Sequence, residues 1–215
     1  MCYNIYVLYR SRTAAAQRKK ARYAKRTPHY VKDVFAMPPK ARITKEMIVD
    51  AAFAVVRRYG VNEINVRKVA NELKCSTQPV MYHFKTVEEL KEEVYAISAA
   101  YFNKYVFGED TDKDNSFAAA GRRCIEFARD ESPMFRFIFQ SGRFGSDYFE
   151  TFFSGESKPR FIDSLTAKGL SESEAKLTAS AFLSAVHGYS SLIANGNATY
   201  SEEVVNKIVG SFCKD

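Results

Sequence analysis

With 215 residues, of which 46% are hydrophobic, the chain is long enough to bury a sizeable core in one large domain or two small ones. No apolar run reaches the roughly 18 residues that cross a bilayer, and the four scattered cysteines match neither a disulfide scaffold nor a zinc motif, so we expect a cytoplasmic protein without a membrane segment, metal or cofactor. The net charge of +7 favours a polyanionic partner.

The basic charge is concentrated at the front of the chain. Residues 1–36 carry nine Lys and Arg against one Asp, residues 37–90 carry nine basic and six acidic side chains, and residues 91–215 carry fourteen basic and eighteen acidic ones. Residues 1–36 lack an apolar repeat, and we expect a disordered basic extension. It either lies outside the native protein or is an arm that follows DNA phosphates.

The first predicted helix follows Thr44, whose side chain can cap it. Arg57 and Arg58 suit its last turn, and Gly60 suits its end. The apolar residues fall at helical spacing and predict a core helix of about four turns. They are Met47, Ile48, Ala51, Ala52, Val55 and Tyr59.

Residues 65–90 predict two short helices around a tight turn, followed by the start of a third helix. Val66, Val69, Ala70 and Leu73 recur at helical spacing, and Ser76 can cap a second helix that carries Val80 and Phe84. Two such helices at a steep angle leave the second one free to enter a major groove.

The segment LKCSTQPVMYHFKTVEEL is similar to the signature of the tetracycline-repressor (TetR) family, and the match covers residues 44–90. The resemblance implies that Leu73, Val80 and Phe84 are core residues and that Ser76 caps the recognition helix. It implies that Thr77, Gln78, Pro79, Tyr82 and His83 face DNA, and that four further residues lie beside phosphates: Asn65, Arg67, Lys85 and Thr86.

The chemistry of these side chains agrees with such a role. Glutamine can make a bidentate pair with adenine, and Pro79 or the Thr77 methyl group can touch a thymine methyl group. The sequence departs from the family pattern at three positions. Lys74 replaces the glycine of the turn, Met81 replaces a phosphate-contacting tyrosine, and Val87 replaces a lysine.

Helical patterns continue to the end of the chain, and we find no strand alternation. Thr86 can cap a long helix with Glu88 and Glu89 in its first turn, Ser132 and Pro133 mark another helix start, and Ser171 can cap a helix of some six turns. We therefore predict an all-α protein. It has a three-helix helix-turn-helix DNA-binding domain at residues 37–90 and a helical ligand-binding and dimerisation domain at residues 91–215.

Residues 134–153 are dense in phenylalanine. This density indicates either an ordinary core or an apolar ligand pocket. His187, in a Val-His-Gly element that resembles one in TetR-like regulators, either lines such a pocket or forms a hydrogen bond in the core. The predicted ligand-binding residues are Phe135, Phe139, Arg143, Phe149 and His187. No catalytic motif is present, so we do not expect an enzyme.

The last two predicted helices, 171–195 and 201–213, have small and apolar faces that include Ala181, Ala185, Gly188 and Leu192. In the family such helices pair across a two-fold axis, and a dimer places two recognition helices about 34 Å apart on a palindrome.

The sequence thus predicts a homodimeric transcriptional regulator, a repressor that a partly apolar small molecule releases from a double-stranded DNA operator. One alternative is a helical small-molecule-binding or catalytic protein without sequence-specific DNA binding. Another is a non-specific DNA coater that acts through residues 1–36.

Overall fold

A computed structural model describes residues 43–107, 117–142 and 160–212. The basic extension at 1–36, Arg143 and Phe149 lie outside these ranges. Every regular element within them is helical, as predicted, and no strand occurs there. The elements in chain order are α1 (Lys45–Tyr59), a 3₁₀ turn (Val61–Glu63), α2 (Val66–Glu72), α3 (Gln78–His83), α4 (Val87–Phe107), α5 (Phe117–Asp130), α6 (Ser132–Gln140), α7 (Arg160–Ala167), α8 (Glu172–Ala194) and α9 (Glu202–Phe212).

Both ends of α1 are capped as the sequence predicts. The Thr44 hydroxyl accepts a hydrogen bond from the Met47 amide at 3.3 Å, and the Gly60 amide donates to Val56 O at 2.8 Å with φ at +91°. The predicted buried face is wrong at two positions, because Met47 and Tyr59 are 38% and 50% exposed. Val49 and Val56 are buried instead, so the core-facing side of α1 is rotated from the predicted one.

The long helix α8 begins with the predicted capping box. Ser171 Oγ accepts from the Glu174 amide at 3.3 Å, and Glu174 Oε2 accepts from the Ser171 amide at 2.9 Å. The hydrogen bonds from Ser171 hold the pKa of Glu174 below its usual value. The box fixes where α8 starts, and α8 then packs along α5.

Helices α5 and α8 approach closely at Gly121. A β-carbon at this position would lie 2.4 Å from Cζ of Phe182, whose side chain is buried. No helix in the described ranges is long and apolar enough to span a membrane.

The main hydrophobic core takes residues from α1 to α6, α8 and α9, and phenylalanine dominates its centre, while α7 packs on the start of α8 in a second, smaller cluster. The Phe102 ring of α4 makes edge contacts with Phe127 at 4.8 Å and with Phe139 at 5.0 Å between ring centroids. The core therefore connects the front helices to the C-terminal ones.

Candidate functional site

The N-terminus of α2 is held by Asn65. Its side-chain oxygen accepts from the Lys68 amide at 2.9 Å, and its side-chain nitrogen donates to Glu63 O at 3.2 Å. Asn65 is exposed, but both ends of its amide are engaged within the chain. Its side chain is thus a cap for α2, a role that the sequence prediction did not include.

The turn between α2 and α3 is closed around Lys74. This residue has φ at +52°, so Lys74 adopts the left-handed backbone conformation that glycine adopts most easily. The Cys75 amide donates to Ala70 O at 3.0 Å and closes the end of α2. The Lys74 side chain is exposed at this turn.

Helix α3 begins at Gln78, later than the sequence predicts. The residue before it, Thr77, already has helical backbone angles and makes no capping hydrogen bond with its side chain. The prediction that Ser76 caps this helix is wrong, because Thr77 is the residue directly before α3 and occupies the cap position. Pro79 in the first turn instead starts α3 without needing a backbone donor.

Helix α3 has one buried side and one exposed side. Val80 and Phe84 are 1% and 6% exposed, so the predicted core positions are confirmed, and Leu73 packs partly buried beside them. On the other side Gln78 is exposed, and Met81 and Tyr82 are 65% and 77% exposed. Gln78, Met81 and Tyr82 therefore make up the solvent-facing side of α3.

His83 faces back toward the start of the described chain. Its Nε2 lies 3.0 Å from Ile43 O, and because a carbonyl oxygen only accepts, Nε2 is the protonated nitrogen that donates. The ring also makes an edge contact with Tyr82 at 5.1 Å between centroids. His83 is half-buried, so it is less open to a partner than Gln78 or Tyr82.

The start of α4 is also capped reciprocally. Thr86 Oγ1 accepts from the Glu89 amide at 3.1 Å, and Glu89 Oε2 accepts from the Lys85 amide at 3.0 Å. Thr86 therefore caps α4 as predicted. The cap fixes the direction in which the Lys85 side chain leaves the backbone beside α3.

The cations around α3 divide into paired and unpaired groups. Arg58 lies 3.4 Å from Glu72, and Lys68 lies 2.6 Å from Glu63. Within the described ranges, three exposed side chains beside α2 and α3 make no ion pair: Arg67, Lys74 and Lys85. The sequence pattern predicts Lys74 only as a turn residue, although an exposed cation in the turn before α3 is also a feature of a surface that binds polyanions.

Three of the five predicted ligand-binding residues meet between α6 and α8. The His187 ring lies 5.7 Å from that of Phe135 and 5.4 Å from that of Phe139, and the two phenylalanine rings are 4.7 Å apart. His187 Nδ1 and, one turn later, Ser190 Oγ are buried without a hydrogen-bond partner. Arg136, from the same aromatic stretch, donates to Ala194 O at the end of α8.

The comparisons with known proteins point to one fold. No family model and no curated protein matches the sequence. The crystal structure of a TetR-like transcriptional regulator from Rhodococcus sp. RHA1 does match, with a TM-score of 0.54 over 82% of this chain and 96% of that chain, at 16% sequence identity. The chain has the TetR-like fold. This match confirms the all-α, TetR-like fold that the resemblance of residues 44–90 to the TetR family implies.

In this TetR-like fold, α8 leaves an apolar stripe exposed. Leu177 and Leu192 are 72% and 48% exposed, and between them Ala181 and Gly188 are exposed at spacings that place all four on one face. Ala185 is half-buried at the edge of this stripe. Val204 of the neighbouring α9 is 40% exposed.

In the described parts of this TetR-like fold, no group of three His, Cys, Asp or Glu side chains has the arrangement of a metal site.

The partly buried imidazole of His187 predicts a pH-dependent stability. Burial lowers the pKa of His187, because the charged form loses its hydration. The unfolded chain takes up this proton near pH 6.5 and the folded chain only at lower pH, so the free energy of unfolding falls as pH drops below about 6.5. We expect His187→Leu to remove this part of the pH dependence.

The measurement is chemical denaturation of both proteins between pH 7 and pH 5. Most carboxylates have their pKa below this window, including Asp130 and Glu202, whose pKa values are lowered. The slope against pH is the readout, since leucine also changes the absolute stability. Equal slopes for the two proteins would contradict the prediction.

Proposed function

We propose that the chain is a homodimeric, ligand-responsive transcriptional regulator that acts in the cytoplasm as a repressor and leaves its palindromic operator when a small molecule binds. One observation carries the proposal. Helix α3 is anchored by Val80 and Phe84, and its other side is exposed and flanked by unpaired cations. A short helix presented in this way is suited to a major groove, and the cations are suited to phosphates on both sides of it.

The contacts divide into base readout and backbone positioning. Base contacts are assigned to side chains at the start of α3 or on its exposed side. These residues are Thr77, Gln78, Pro79 and Tyr82. Phosphate contacts are assigned to Asn65, Arg67, Ser76, Lys85 and Thr86, to which we add Lys74. His83 is kept as a further DNA-facing residue: its Nε2 carries the proton and donates to Ile43 O, so Nδ1 in this tautomer only accepts and is suited to a donor on a base edge.

A second copy of this chain is the partner that fits the stripe on α8. Leu177, Ala181, Gly188 and Leu192 combine exposed leucines with small residues, and such a surface lets two helices approach closely and exclude water. Val204 of the neighbouring α9 is also exposed and extends this apolar surface. A two-fold axis through this face would present two copies of α3 to two half-sites.

The effector site lies between α6 and α8. Phe135 and Phe139 supply an apolar wall, and the unsatisfied His187 Nδ1 can accept a hydrogen bond from an effector. Arg143 and Phe149 remain proposed lining residues. A partly apolar effector with one hydrogen-bond donor matches this combination. We assign no catalytic role to it.

The direct test is a gel shift with the DNA upstream of the chain's own gene. A salt-sensitive, sequence-selective shift supports the proposal. A shift without selectivity favours a non-specific coater through residues 1–36, and a variant that begins at Met37 would then lose binding. No shift with any DNA favours a helical small-molecule-binding or catalytic protein in which α2 and α3 only pack.

Lys85→Ala is expected to weaken binding to specific and random DNA alike. Loss of one phosphate contact releases about one counterion fewer, so the slope of log K against log salt becomes shallower by roughly one unit. Fluorescence anisotropy at four salt concentrations measures this slope. Lys207→Ala removes the same charge from an exposed position on α9 and is expected to leave it unchanged. Equal slopes for Lys85→Ala and the parent protein would remove the phosphate role.

A further inference from the structure

Glu131 occupies the junction between α5 and α6. Its amide donates to Phe127 O in the last turn of α5 at 2.8 Å, and its carbonyl oxygen accepts from the Phe135 amide in α6 at 2.8 Å. The residue is only 6% exposed, although it carries a carboxylate. A carboxylate is rarely buried unless it is paired, and this one has two partner side chains.

The partners of the Glu131 carboxylate come from two other helices. Arg57 of α1 binds it in a bidentate way, with Nε 2.9 Å from both oxygens and Nη2 on Oε1. The Tyr101 hydroxyl of α4 donates to Oε1 at 2.9 Å. The Arg57 guanidinium also lies over the Tyr101 ring, 5.4 Å from its centroid. We call this arrangement of Arg57, Tyr101 and Glu131 the Glu131 joint.

The chemistry of the partners agrees with a firmly held carboxylate. The hydrogen bond to Glu131 raises the pKa of Arg57, and burial, aided by the hydrogen bond to Glu131, raises the pKa of Tyr101 to about 12. Both partners therefore stay protonated, and both donate, at neutral pH. Glu131 cannot move without leaving a buried charge unpaired.

The Glu131 joint lies between the turn that follows α1 and the contact of Phe135 with His187. Arg57 lies three residues before Gly60, where α1 ends and the chain turns toward α2. Glu131 lies one helical turn before Phe135, which contacts His187. A shift of α6 therefore reaches the end of α1 through this ion pair, in addition to the direct packing of α6 on α1.

We infer that Glu131 is a positioning residue that couples the α6–α8 aromatic cluster to the helix-turn-helix by fixing the end of α1. The inference rests on the proposed function only for its consequence, which is that a ligand at His187 would alter the orientation of α3. The mechanical coupling itself needs neither DNA nor ligand. It runs through α1, in addition to the continuous helix α4 that joins the two regions along the chain.

Hydrogen exchange of the full-length protein without DNA or ligand tests the coupling. Glu131→Gln keeps the shape of the side chain and removes its charge. The amides of residues 45–83 are expected to exchange about tenfold faster in this variant, and those of α8 to exchange at the parent rate, since local openings occur in separate cooperative units. Unchanged exchange in residues 45–83 would overturn the inference. So would an equal rise in every helix, because that outcome is general destabilisation.

Two further variants make the test specific. Glu93→Gln is the matched control, since it removes the partner of Lys45 at 2.7 Å, an ion pair that joins α1 to α4 and not to α6. It is expected to leave exchange in residues 45–83 within about twofold of the parent. Arg57→Gln is expected to reproduce the effect of Glu131→Gln, and the double variant to exchange no faster than either single one. Additive effects would show that the two residues act independently and would overturn the inference.

If Glu131→Gln does not fold, Tyr101→Phe removes one hydroxyl from the same carboxylate and is expected to raise exchange in residues 45–83 by a smaller factor of about three. The coupling and the proposed function fail separately. Unchanged exchange together with a selective gel shift removes the joint and keeps the regulator. Raised exchange without any DNA shift keeps the joint and removes the regulator.

Discussion

Phe102→Ala is expected to lower the free energy of unfolding by about 3–5 kcal/mol, the usual cost of emptying a fully buried phenylalanine site. The Phe102 side chain is 0% exposed and lies where α4 meets α5 and α6. Its ring edges contact Phe127 and Phe139, so truncation removes both ring pairs as well as the buried area. The neighbouring helices are capped and connected, and they can collapse only partly into the cavity.

Urea denaturation at one fixed protein concentration measures this loss, since the stability of a dimer depends on concentration. Tyr82→Ala is the matched control, because it also truncates an aromatic ring, but one that is 77% exposed. We expect Tyr82→Ala to change stability by no more than about 0.5 kcal/mol and to weaken DNA binding instead. A loss below about 1 kcal/mol for Phe102→Ala would contradict the described core.

Gln78→Ala is expected to cost about 1–3 kcal/mol in binding to the specific operator and little in binding to random DNA. Gln78 is the first residue of α3, is exposed, and makes no hydrogen bond through its side chain within the described ranges. A free amide at the tip of a helix can pair with both the donor and the acceptor of an adenine edge. Alanine keeps the helix and removes only this pair.

Competition between operator and random DNA at constant salt separates the two affinities. Asn62→Ala is a suitable control, since it removes an exposed amide from the 3₁₀ turn after α1 and not from α3. Equal losses on both DNAs would show that Gln78 contacts the backbone, and the proposal of base readout at this residue would then be wrong.

Much of the local structure could be predicted because its causes lie within a few residues of each other. Thr44 and Gly60 at the ends of α1, Ser171 with Glu174 at the start of α8, and the positive φ of Lys74 all depend on hydrogen bonds or steric limits inside one turn. The start of α3 was predicted less well, because Ser76, Thr77 and Pro79 offer competing helix starts.

The burial pattern of single helices could be predicted only in part. Periodicity identified α1 as a core helix, but it placed Met47 and Tyr59 on the buried face, where the structure has Val49 and Val56. The spacing of apolar residues predicts that one side of a helix is buried. Which residues at the edge of that side remain exposed to water depends on where the neighbouring helices pack.

Helical periodicity and caps act over short distances, so they were enough to predict the all-α class, the helix-turn-helix and its anchoring residues. Contacts between distant side chains depend instead on how the helices pack. Arg57 and Glu131 are 74 residues apart and belong to patterns that predict nothing about each other. Phe135 and His187 were predicted together, but their contact depends on how α6 packs against α8. Such contacts follow from the packing of whole helices, which no local rule specifies.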